Sequence, residues 1–239
     1  MNRKLSVQRE DGVIKLALGN DPENTMDMEV LQQLLIKISD ITSDDDQLPV
    51  VIYSKGRNFT RGYDCSCHLV KDNQFLEGVV KIGMGIAQFI RNYDHPVICY
   101  QHGYVLGSGL ELSFLCDYVV SDKNAIFGFP ESKFDFPGIM IPPESLQKFA
   151  SPNAVSIMAR GISVNADEAM KSNIINEIGT LNDAISIAKD LDNEFFAKTK
   201  STKLMDQNAI KNYIHYIHSK DTRTIRLKDL ENYRNEKFY

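Results

Sequence analysis

The sequence predicts an α/β fold in which a largely parallel sheet is followed by a helical C-terminal part. Up to about residue 150, short apolar runs rich in β-branched residues alternate with amphipathic stretches, as is typical of parallel strands joined by helical crossovers. Beyond that point most apolar residues recur at three- and four-residue steps, the period of a helix. We therefore expect an α/β core over residues 1–190 and a helical region over residues 191–239.

The chain opens with a predicted β-hairpin. Two short apolar strands flank Asp11-Gly12, a dipeptide that favours a tight two-residue turn. A first helix is predicted to follow and to end before the acidic run of residues 44–46. It is predicted from the helical spacing of Met28, Leu31, Leu34, Leu35 and Ile38.

The remaining strands and helices are predicted from the same two patterns, short apolar runs for strands and three- or four-residue apolar spacing for helices. Strands are expected over residues 49–53, 97–100 and 118–120, and helices over residues 75–92 and 110–116. Further helices are expected over residues 166–171, 181–200, 204–219 and 225–235, with one late strand over residues 174–178.

Composition excludes several classes of protein. Of 239 residues, 43% are hydrophobic and 25% are charged, as in ordinary globular domains. The longest segment without Asp, Glu, Lys or Arg is residues 95–110, which is shorter than the roughly 18 residues a membrane helix needs. The net charge of −5 and the lack of a recognisable nucleic-acid-binding motif argue against nucleic-acid binding. With no apolar signal segment at the start, we expect a cytoplasmic protein with neither membrane nor nucleic acid as a partner.

The cysteines do not predict a metal site. Cys65-Ser66-Cys67-His68 offers at most three close ligands and has no second pair at zinc-finger spacing. Cys99 and Cys116 lie in apolar runs and are expected to be buried, reduced thiols. We therefore expect no bound metal.

Two glycine-containing turns could expose backbone amides to a cleft. Gly62 follows a predicted strand, so the N–H of Tyr63 can turn away from the sheet ladder. Ser108 lies at the start of a predicted helix, where amides have no intrahelical partner and face the positive end of the dipole. Together the two amides could form an oxyanion hole.

The second turn, at residues 107–109, has two other interpretations. Gly107-Ser108-Gly109 could cradle a phosphate, although it lacks the Lys-Ser/Thr of a P-loop and the full Gly-x-Gly-x-x-Gly spacing. The glycines could also serve only to pack a helix closely on a sheet.

Two glutamates are candidates for acid–base chemistry. Glu111 lies in the first turn of an otherwise apolar helix, and Glu131 follows the predicted strand exit at residues 127–130. A carboxyl group in apolar surroundings has a raised pKa, and two such groups can divide acid and base roles. Either glutamate alone could instead be a helix cap or a surface carboxylate.

Taken together, these motifs resemble the enoyl-CoA hydratase/isomerase (crotonase) family in order and spacing, from about residue 5 to residue 190. The resemblance rests on Asn24-Thr25-Met26, Gly62-Tyr63-Asp64, His95-Pro96-Val97-Ile98, residues 103–112, Cys116-Asp117, residues 125–131 and residues 161–177. It implies a crotonase-like spiral of ββα units, a helical C-terminal part that serves as a trimerisation or lid region, and a homotrimer or homohexamer.

The resemblance also implies a substrate and roles for individual residues. The substrate would be an acyl-CoA thioester, with coenzyme A as part of the substrate and no separate cofactor. Its carbonyl would be held by the amides of Tyr63 and Ser108, and the catalytic carboxylates would be Glu111 and Glu131, twenty positions apart as in the hydratases. Substrate contacts would come from Arg61, Gly62, Asp64, Gly107 and Gly138.

Several positions depart from the family pattern. Tyr63 and Ser108 replace smaller residues, although each keeps its amide. The loop over residues 135–143 is shorter and bulkier than in typical members, so we expect an unusual acyl pocket. Asp135 in this loop could supply an additional carboxylate, or it could be a solvated loop residue.

The predicted function is therefore that of an enoyl-CoA hydratase-like lyase. Simple isomerases of the family generally need only the carboxylate at the Glu131 position, whereas hydration and dehydration use both. The alternatives are an isomerase, a decarboxylase or a thioesterase on the same scaffold, because an oxyanion hole serves several acyl-CoA reactions. A catalytically silent binding protein that kept the fold is a further alternative.

Overall fold

The computed structural model describes residues 5–19, 23–64, 73–134, 136 and 138–193. The cysteine–histidine cluster at residues 65–68, Asp135 and the predicted helices beyond residue 193 lie outside the described residues. The division into a core over residues 1–190 and a helical region over residues 191–239 thus stays a prediction.

Nine strands and six α-helices make up the described part of the chain. In chain order they are β1 (Ser6–Glu10), β2 (Val13–Ala17), α1 (Met28–Thr42), β3 (Val50–Tyr53), α2 (Asn73–Asn92), β4 (Val97–Gln101), β5 (Tyr104–Leu106), α3 (Ser108–Leu115), β6 (Tyr118–Ser121), β7 (Ile126–Gly128), α4 (Pro152–Arg160), β8 (Ser163–Asn165), α5 (Ala166–Lys171), β9 (Glu177–Ile178) and α6 (Leu181–Leu191). Two 3₁₀ helices span Pro130–Phe134 and Pro143–Lys148.

A six-stranded sheet forms the base of the fold, in the order β1-β2-β3-β4-β6-β9. The β1–β2 pair is antiparallel, and every other neighbouring pair in this sheet is parallel. The hairpin turns at Asp11 and Gly12, whose φ angles of 57° and 74° are those of a type I′ turn. The predicted hairpin and the predicted parallel sheet are therefore both confirmed.

Helices cover both faces of this sheet. Helix α1 begins at the N-cap Asp27, whose carboxylate accepts a hydrogen bond from the N–H of Val30. Its buried stripe of apolar residues belongs to the main core, with α2 packed beside it. Helix α6 covers the opposite face, where Ala184 and Ala188 pack in a second apolar cluster with Ile98 of β4.

A three-stranded sheet, in the order β5-β7-β8, stands apart from the six-stranded one. Strands β5 and β7 are parallel, and Leu106 pairs with Gly128 at their last residues. Strand β5 leads directly into α3, which carries Glu111, and β7 leads into the 3₁₀ helix that carries Glu131. Because parallel strands end at the same edge of a sheet, this small sheet brings the two glutamates to one edge.

Three predicted element boundaries were wrong. The helix predicted over residues 181–200 ends at Leu191, because Asp192 leaves the helical conformation as its C-cap. Helix α3 begins at Ser108 instead of residue 110, because Gly107 at φ 53° serves as its N-cap. The predicted strand over residues 174–178 is reduced to Glu177–Ile178. Ile174 and Ile175 are buried in an irregular segment that follows the turn at the end of α5. Asn176 uses its side-chain oxygen to accept the N–H of Val119.

Helix α2 packs against the loop over residues 138–141 at a glycine. A Cβ atom at Gly83 would overlap the carbonyl oxygen of Ile139. We therefore expect Gly83→Ala to lower the free energy of unfolding by about 1–3 kcal/mol through overpacking. Urea denaturation would measure this loss.

Gly78→Ala in the same helix is the matched control. A Cβ atom there would lie 3.6 Å from Met28 Cε, an ordinary contact, so the gain in helix propensity should stabilise the protein by up to about 1 kcal/mol. Equal effects of the two alanine substitutions would contradict the proposed close packing of α2 on Ile139.

Candidate active site

The carboxyl group of Glu131 lies directly on two glycine backbones. A Cβ atom at Gly62 would lie 3.3 Å from Glu131 Oε1, and a Cβ atom at Gly107 would overlap the same oxygen. Both glycines also have positive φ, 85° at Gly62 and 53° at Gly107, a conformation that other residues rarely adopt. The glycines precede Tyr63 and Ser108, so Glu131 lies beside both predicted amide donors.

Tyr63 and Ser108 occupy equivalent positions on two adjacent parallel segments. Thr60 and Val105 form a parallel bridge, in which the N–H of Leu106 donates to Thr60 O at 3.0 Å. Tyr63 and Ser108 each lie three residues beyond this bridge. The pairing of Thr60 with Val105 therefore fixes the starting point of both segments that lead to the predicted donors.

Met26 contacts both of these segments. Its backbone N–H donates to Gly62 O at 2.8 Å, and its carbonyl accepts from the N–H of Asp64 at 2.9 Å. Its sulfur accepts a hydrogen bond from Ser108 Oγ at 3.4 Å. The Ser108 hydroxyl is thereby turned toward the core, while its N–H lies at the first residue of α3, where amides have no intrahelical partner.

Glu111 is held by three backbone amides. Its side chain is buried in α3, with only 1% of the residue exposed. Oε1 accepts the N–H groups of Met140 at 3.0 Å and Ile141 at 2.8 Å, and Oε2 accepts that of Ile139 at 3.0 Å. Since a carboxylate has about four acceptor sites, one site on Glu111 remains for another donor.

Burial raises the pKa of both carboxyl groups. The pKa of Glu111 rises to about 7 because burial outweighs the opposing effect of its three amides. The pKa of Glu131 rises to about 8, first through burial and then through the nearby charge of Glu111, while its own backbone N–H opposes the rise. The two groups can therefore hold and release protons close to neutral pH.

Glu131 also has an oxygen that is free to act. Although the residue as a whole is partly exposed, its Oε2 is buried and has no hydrogen-bond partner in the part of the chain that the structure describes. An unpaired buried oxygen is costly for a charged carboxylate, which agrees with the raised pKa. This oxygen is available to a substrate atom.

A cavity of about 270 Å³ opens beside Glu111. It is larger than the roughly 150 Å³ cavity that accepts a benzene ring in another protein. Its lining is mostly apolar and comes from the segments on both sides of Glu131, the second 3₁₀ helix and α4. Besides Glu111 the lining residues are Phe129, Ser132, Phe136, Gly138, Ile141, Pro143, Leu146, Val155, Met158 and Ala159.

The predicted substrate-binding residues divide into two groups. Gly62 and Gly107 lie against Glu131, and a Cβ atom at Gly138 would overlap Glu111 Oε1, so all three surround the carboxyl groups. Arg61 lies outside this cluster: it forms an ion pair with Glu23 at 2.7 Å and stacks over the Tyr104 ring at 5.6 Å. A role of Arg61 in substrate binding stays a prediction, as does that of Asp64.

Sequence reasoning missed the backbone donors to Glu111 and the contribution of α4 to the cavity. The amides of residues 139–141 carry no side-chain signature, and Val155 and Met158 have the ordinary apolar spacing of a packed helix. Within residues 5–193 as described, no group of three or more His, Cys, Asp or Glu side chains could hold a metal ion. None of the described helices is long and apolar enough to cross a membrane.

Comparison with known proteins identifies the family. The family model described as Enoyl-CoA hydratase/isomerase matches residues 8–234. A relative in Thermus thermophilus is 28% identical over 211 residues, which are 83% of this chain and 80% of that protein. The short-chain-enoyl-CoA hydratase of Clostridium acetobutylicum is 23% identical over 210 residues, 85% of this chain and 80% of the relative.

A solved structure confirms the predicted fold. The crystal structure of an enoyl-CoA hydratase from Bacillus anthracis superposes with a TM-score of 0.74. The two sequences are 18% identical, and the match covers 98% of this chain and 97% of that one. The crotonase-like fold expected from the resemblance is therefore present.

The raised pKa values predict how stability depends on pH. Above their ordinary pKa of 4.5 the glutamates of the unfolded chain release protons that the folded protein keeps up to about pH 7 or 8. The free energy of unfolding should therefore fall as pH rises from about 5 to about 8, by up to about 1.4 kcal/mol per pH unit for each group. Glu131→Gln should make this fall shallower, as measured by urea denaturation across that range.

Glu144→Gln provides the control, because Glu144 is an exposed residue of the second 3₁₀ helix. The stability of this variant should depend on pH as that of the unmodified protein does. If the stability of Glu131→Gln also falls with pH as steeply as that of the unmodified protein, Glu131 does not hold a proton in the folded state.

Proposed function

The chain belongs to the enoyl-CoA hydratase/isomerase family, and from this premise we propose that it catalyses the reversible addition of water to a 2-enoyl-CoA thioester. The observation that carries the proposal is the pair of buried carboxyl groups with different surroundings. Glu111 accepts three amides and has a pKa of about 7. Glu131 has a pKa of about 8 and an oxygen without a hydrogen-bond partner in the described part of the chain.

The amides of Tyr63 and Ser108 would hold the thioester oxygen. As water adds at Cβ, negative charge moves onto this oxygen to give an enolate. Preorganised N–H donors stabilise such a charge by about 3 kcal/mol each. The position of Ser108 at the start of α3 supports this role, since the helix dipole also favours negative charge there.

The two glutamates would divide the proton transfers. Glu111, with the lower pKa, would use its remaining acceptor site to orient water and take its proton as the oxygen attacks Cβ. Glu131, with the higher pKa, would donate its proton to Cα as the enolate collapses. One water is thereby added across the double bond, and the reverse steps remove it. Exchange with solvent then returns a proton from Glu111 to the pool and one to Glu131, which restores both groups for the next turnover. The sequence and geometry are compatible with either physiological direction.

The cavity beside Glu111 would receive the acyl chain. Its apolar lining, including Phe129, Leu146 and Met158, suits a hydrocarbon group. In the proposed reaction water is a reactant and both protons move through the glutamates, so no cofactor is required beyond the coenzyme A moiety of the substrate. We further propose a cytoplasmic location and a homotrimer or homohexamer, as expected for the family.

One observation favours isomerisation as a second candidate. Three of the roughly four acceptor sites of Glu111 are already used by backbone amides, whereas one oxygen of Glu131 has no partner among the residues that the structure describes. If Glu111 only holds the loop in place, Glu131 alone could move a proton between Cα and Cγ of an enoyl thioester. Isomerisation would then need one carboxylate and no water.

We expect Glu111→Gln and Glu131→Gln each to lower kcat for hydration of crotonyl-CoA by at least about 100-fold. Thioester binding should be largely kept in Glu131→Gln, because glutamine has nearly the same shape as glutamic acid. In Glu111→Gln one oxygen that accepts a loop amide is replaced by an NH2 donor, so binding should also weaken there. Loss of the enoyl absorbance, with identification of 3-hydroxybutyryl-CoA, measures the reaction. Glu144→Gln is the exposed control and should leave kcat unchanged.

The same variants separate the alternatives. If Glu111→Gln still isomerises a 3-enoyl-CoA and Glu131→Gln does not, the protein is an isomerase and the hydration proposal is wrong. Thioester binding without turnover on either substrate would indicate other acyl-CoA chemistry or a silent scaffold. Full hydration by either glutamine variant would remove that glutamate from the mechanism.

The proposed division of roles also predicts a pH profile. Glu111 must be ionised and Glu131 protonated, so kcat/KM should be bell-shaped with its maximum between about pH 7 and pH 8. In Glu111→Gln the residual activity should lose the acidic limb and keep the alkaline one. Steady-state hydration rates from about pH 5.5 to pH 9.5 measure both limbs, and an acidic limb that persists in this variant would contradict the assignment of Glu111 as the base.

A further inference from the structure

A single buried threonine contacts the backbone beside both proposed oxyanion donors. Thr60 is fully buried between β3 and Tyr63. Its hydroxyl donates to Asn24 O at 2.5 Å and accepts the N–H of Gly62 at 3.0 Å. Because Gly62 directly precedes Tyr63 and has a positive φ of 85°, this hydrogen bond fixes the residue that aims the Tyr63 amide.

The methyl group of the same threonine contacts the other segment. A Cβ atom at Gly109 would lie 2.5 Å from Thr60 Cγ2, so the methyl group packs directly on the Gly109 backbone. Gly109 follows Ser108 in the first turn of α3. The other atoms near such a Cβ, Val105 Cγ1 at 3.5 Å and Phe59 Cδ1 at 3.6 Å, are at ordinary contact distance.

The backbone of Thr60 completes the connection. Its N–H donates to Tyr104 O at 3.1 Å, and its carbonyl accepts the N–H of Leu106 at 3.0 Å. Thr60 is therefore bonded to β5 through its backbone, to Gly62 through its hydroxyl and to α3 through its methyl group. None of these contacts is made directly with a residue of the cavity lining or with either glutamate carboxyl group.

We infer that Thr60 is a positioning residue that sets the separation and direction of the Tyr63 and Ser108 amides. This inference rests on the proposed function, in which those amides polarise the thioester carbonyl. Oxyanion donors act only within a narrow range of distance, about 2.7–3.1 Å, and a misplacement of about 1 Å can lower the rate about 100-fold. Valine would keep the shape of Thr60 without its hydroxyl, and serine would keep the hydroxyl without the methyl group.

The hydroxyl is tested by Thr60→Val. We expect kcat for crotonyl-CoA hydration to fall about 10- to 100-fold with little change in KM. The infrared carbonyl stretch of bound butyryl-CoA, labelled with ¹³C at the thioester carbon, should move less far to low frequency than in the unmodified protein. Thr60→Ser should lose less than Thr60→Val on both measures. Thr42→Val is the control. It deletes a hydroxyl that donates to backbone carbonyls at the end of α1 and should change neither kcat nor the carbonyl stretch.

The methyl contact is tested by a pair of complementary substitutions. Gly109→Ala places a methyl group against Thr60 Cγ2. It should lower kcat and reduce the shift of the carbonyl stretch to low frequency. Combining it with Thr60→Ser removes the opposing methyl group, so the double variant should recover at least about 5-fold in kcat over Gly109→Ala alone, as contacting residues are energetically coupled. This rescue also decides the question if Thr60→Val fails to fold.

The outcomes separate the two proposals. A normal carbonyl shift and normal kcat in Thr60→Val, or a double variant no better than Gly109→Ala, overturns the positioning role and leaves the hydration proposal standing. An unmodified protein that neither hydrates crotonyl-CoA nor shifts the carbonyl stretch of butyryl-CoA overturns both.

Discussion

The arrangement of the candidate site depends on the carboxylate of Glu111, which accepts three consecutive amides from residues 139–141. These amides belong to buried residues, where an unpaired N–H is costly, and one carboxylate satisfies all of them. The same three donors hold the pKa of Glu111 to about 7, against the rise that burial alone would cause. Gly138 gives the carboxylate room, and Gly83 lets α2 approach the far side of the loop. The wall of the cavity, the packing of α2 and the acidity of Glu111 are therefore consequences of one set of hydrogen bonds.

The small sheet determines where the second carboxyl group lies and why it differs from the first. Strands β5 and β7 end in register, and the N–H of Gly107 donates to Gly128 O at 3.0 Å, so the two following segments leave from the same edge. Glu111 accepts three backbone amides, whereas Glu131 lies against glycine backbones and one of its oxygens has no hydrogen-bond partner among the described residues. The charge of Glu111 also raises the pKa of Glu131. Two residues of the same type thus acquire different hydrogen-bonding surroundings, which suits them to different roles in acid–base chemistry.

The sequence predicted the elements that have local signals and missed those that depend on distant backbone. Asp11-Gly12 defines its turn by conformational preference alone, and the two glutamates stand out because each interrupts or ends an apolar run. The late strand was predicted too long, because Ile174 and Ile175 have the composition of a strand yet are buried in an irregular segment. The donors to Glu111 come from 28 to 30 residues away, and any residue type other than proline could supply them. Thr60 likewise gave no signal, since its importance comes from contacts with Gly62 and Gly109 that appear only when the two segments are adjacent.

The unusual residues at the two proposed donor positions leave the backbone amides in place, because their side chains are accommodated elsewhere. Tyr63 is 7% exposed and belongs to the main apolar core, and the Ser108 hydroxyl is turned toward Met26. At the neighbouring glycines no such freedom exists, since a side chain at Gly62, Gly107 or Gly138 would meet a carboxyl oxygen. The polar half of the site is consequently constrained by backbone geometry, whereas the apolar half is built from side chains of α4 and the loops before it. Under the proposed hydration, variation in the acyl group would therefore be accommodated by substitutions in α4 and these loops, with the reaction centre left unchanged.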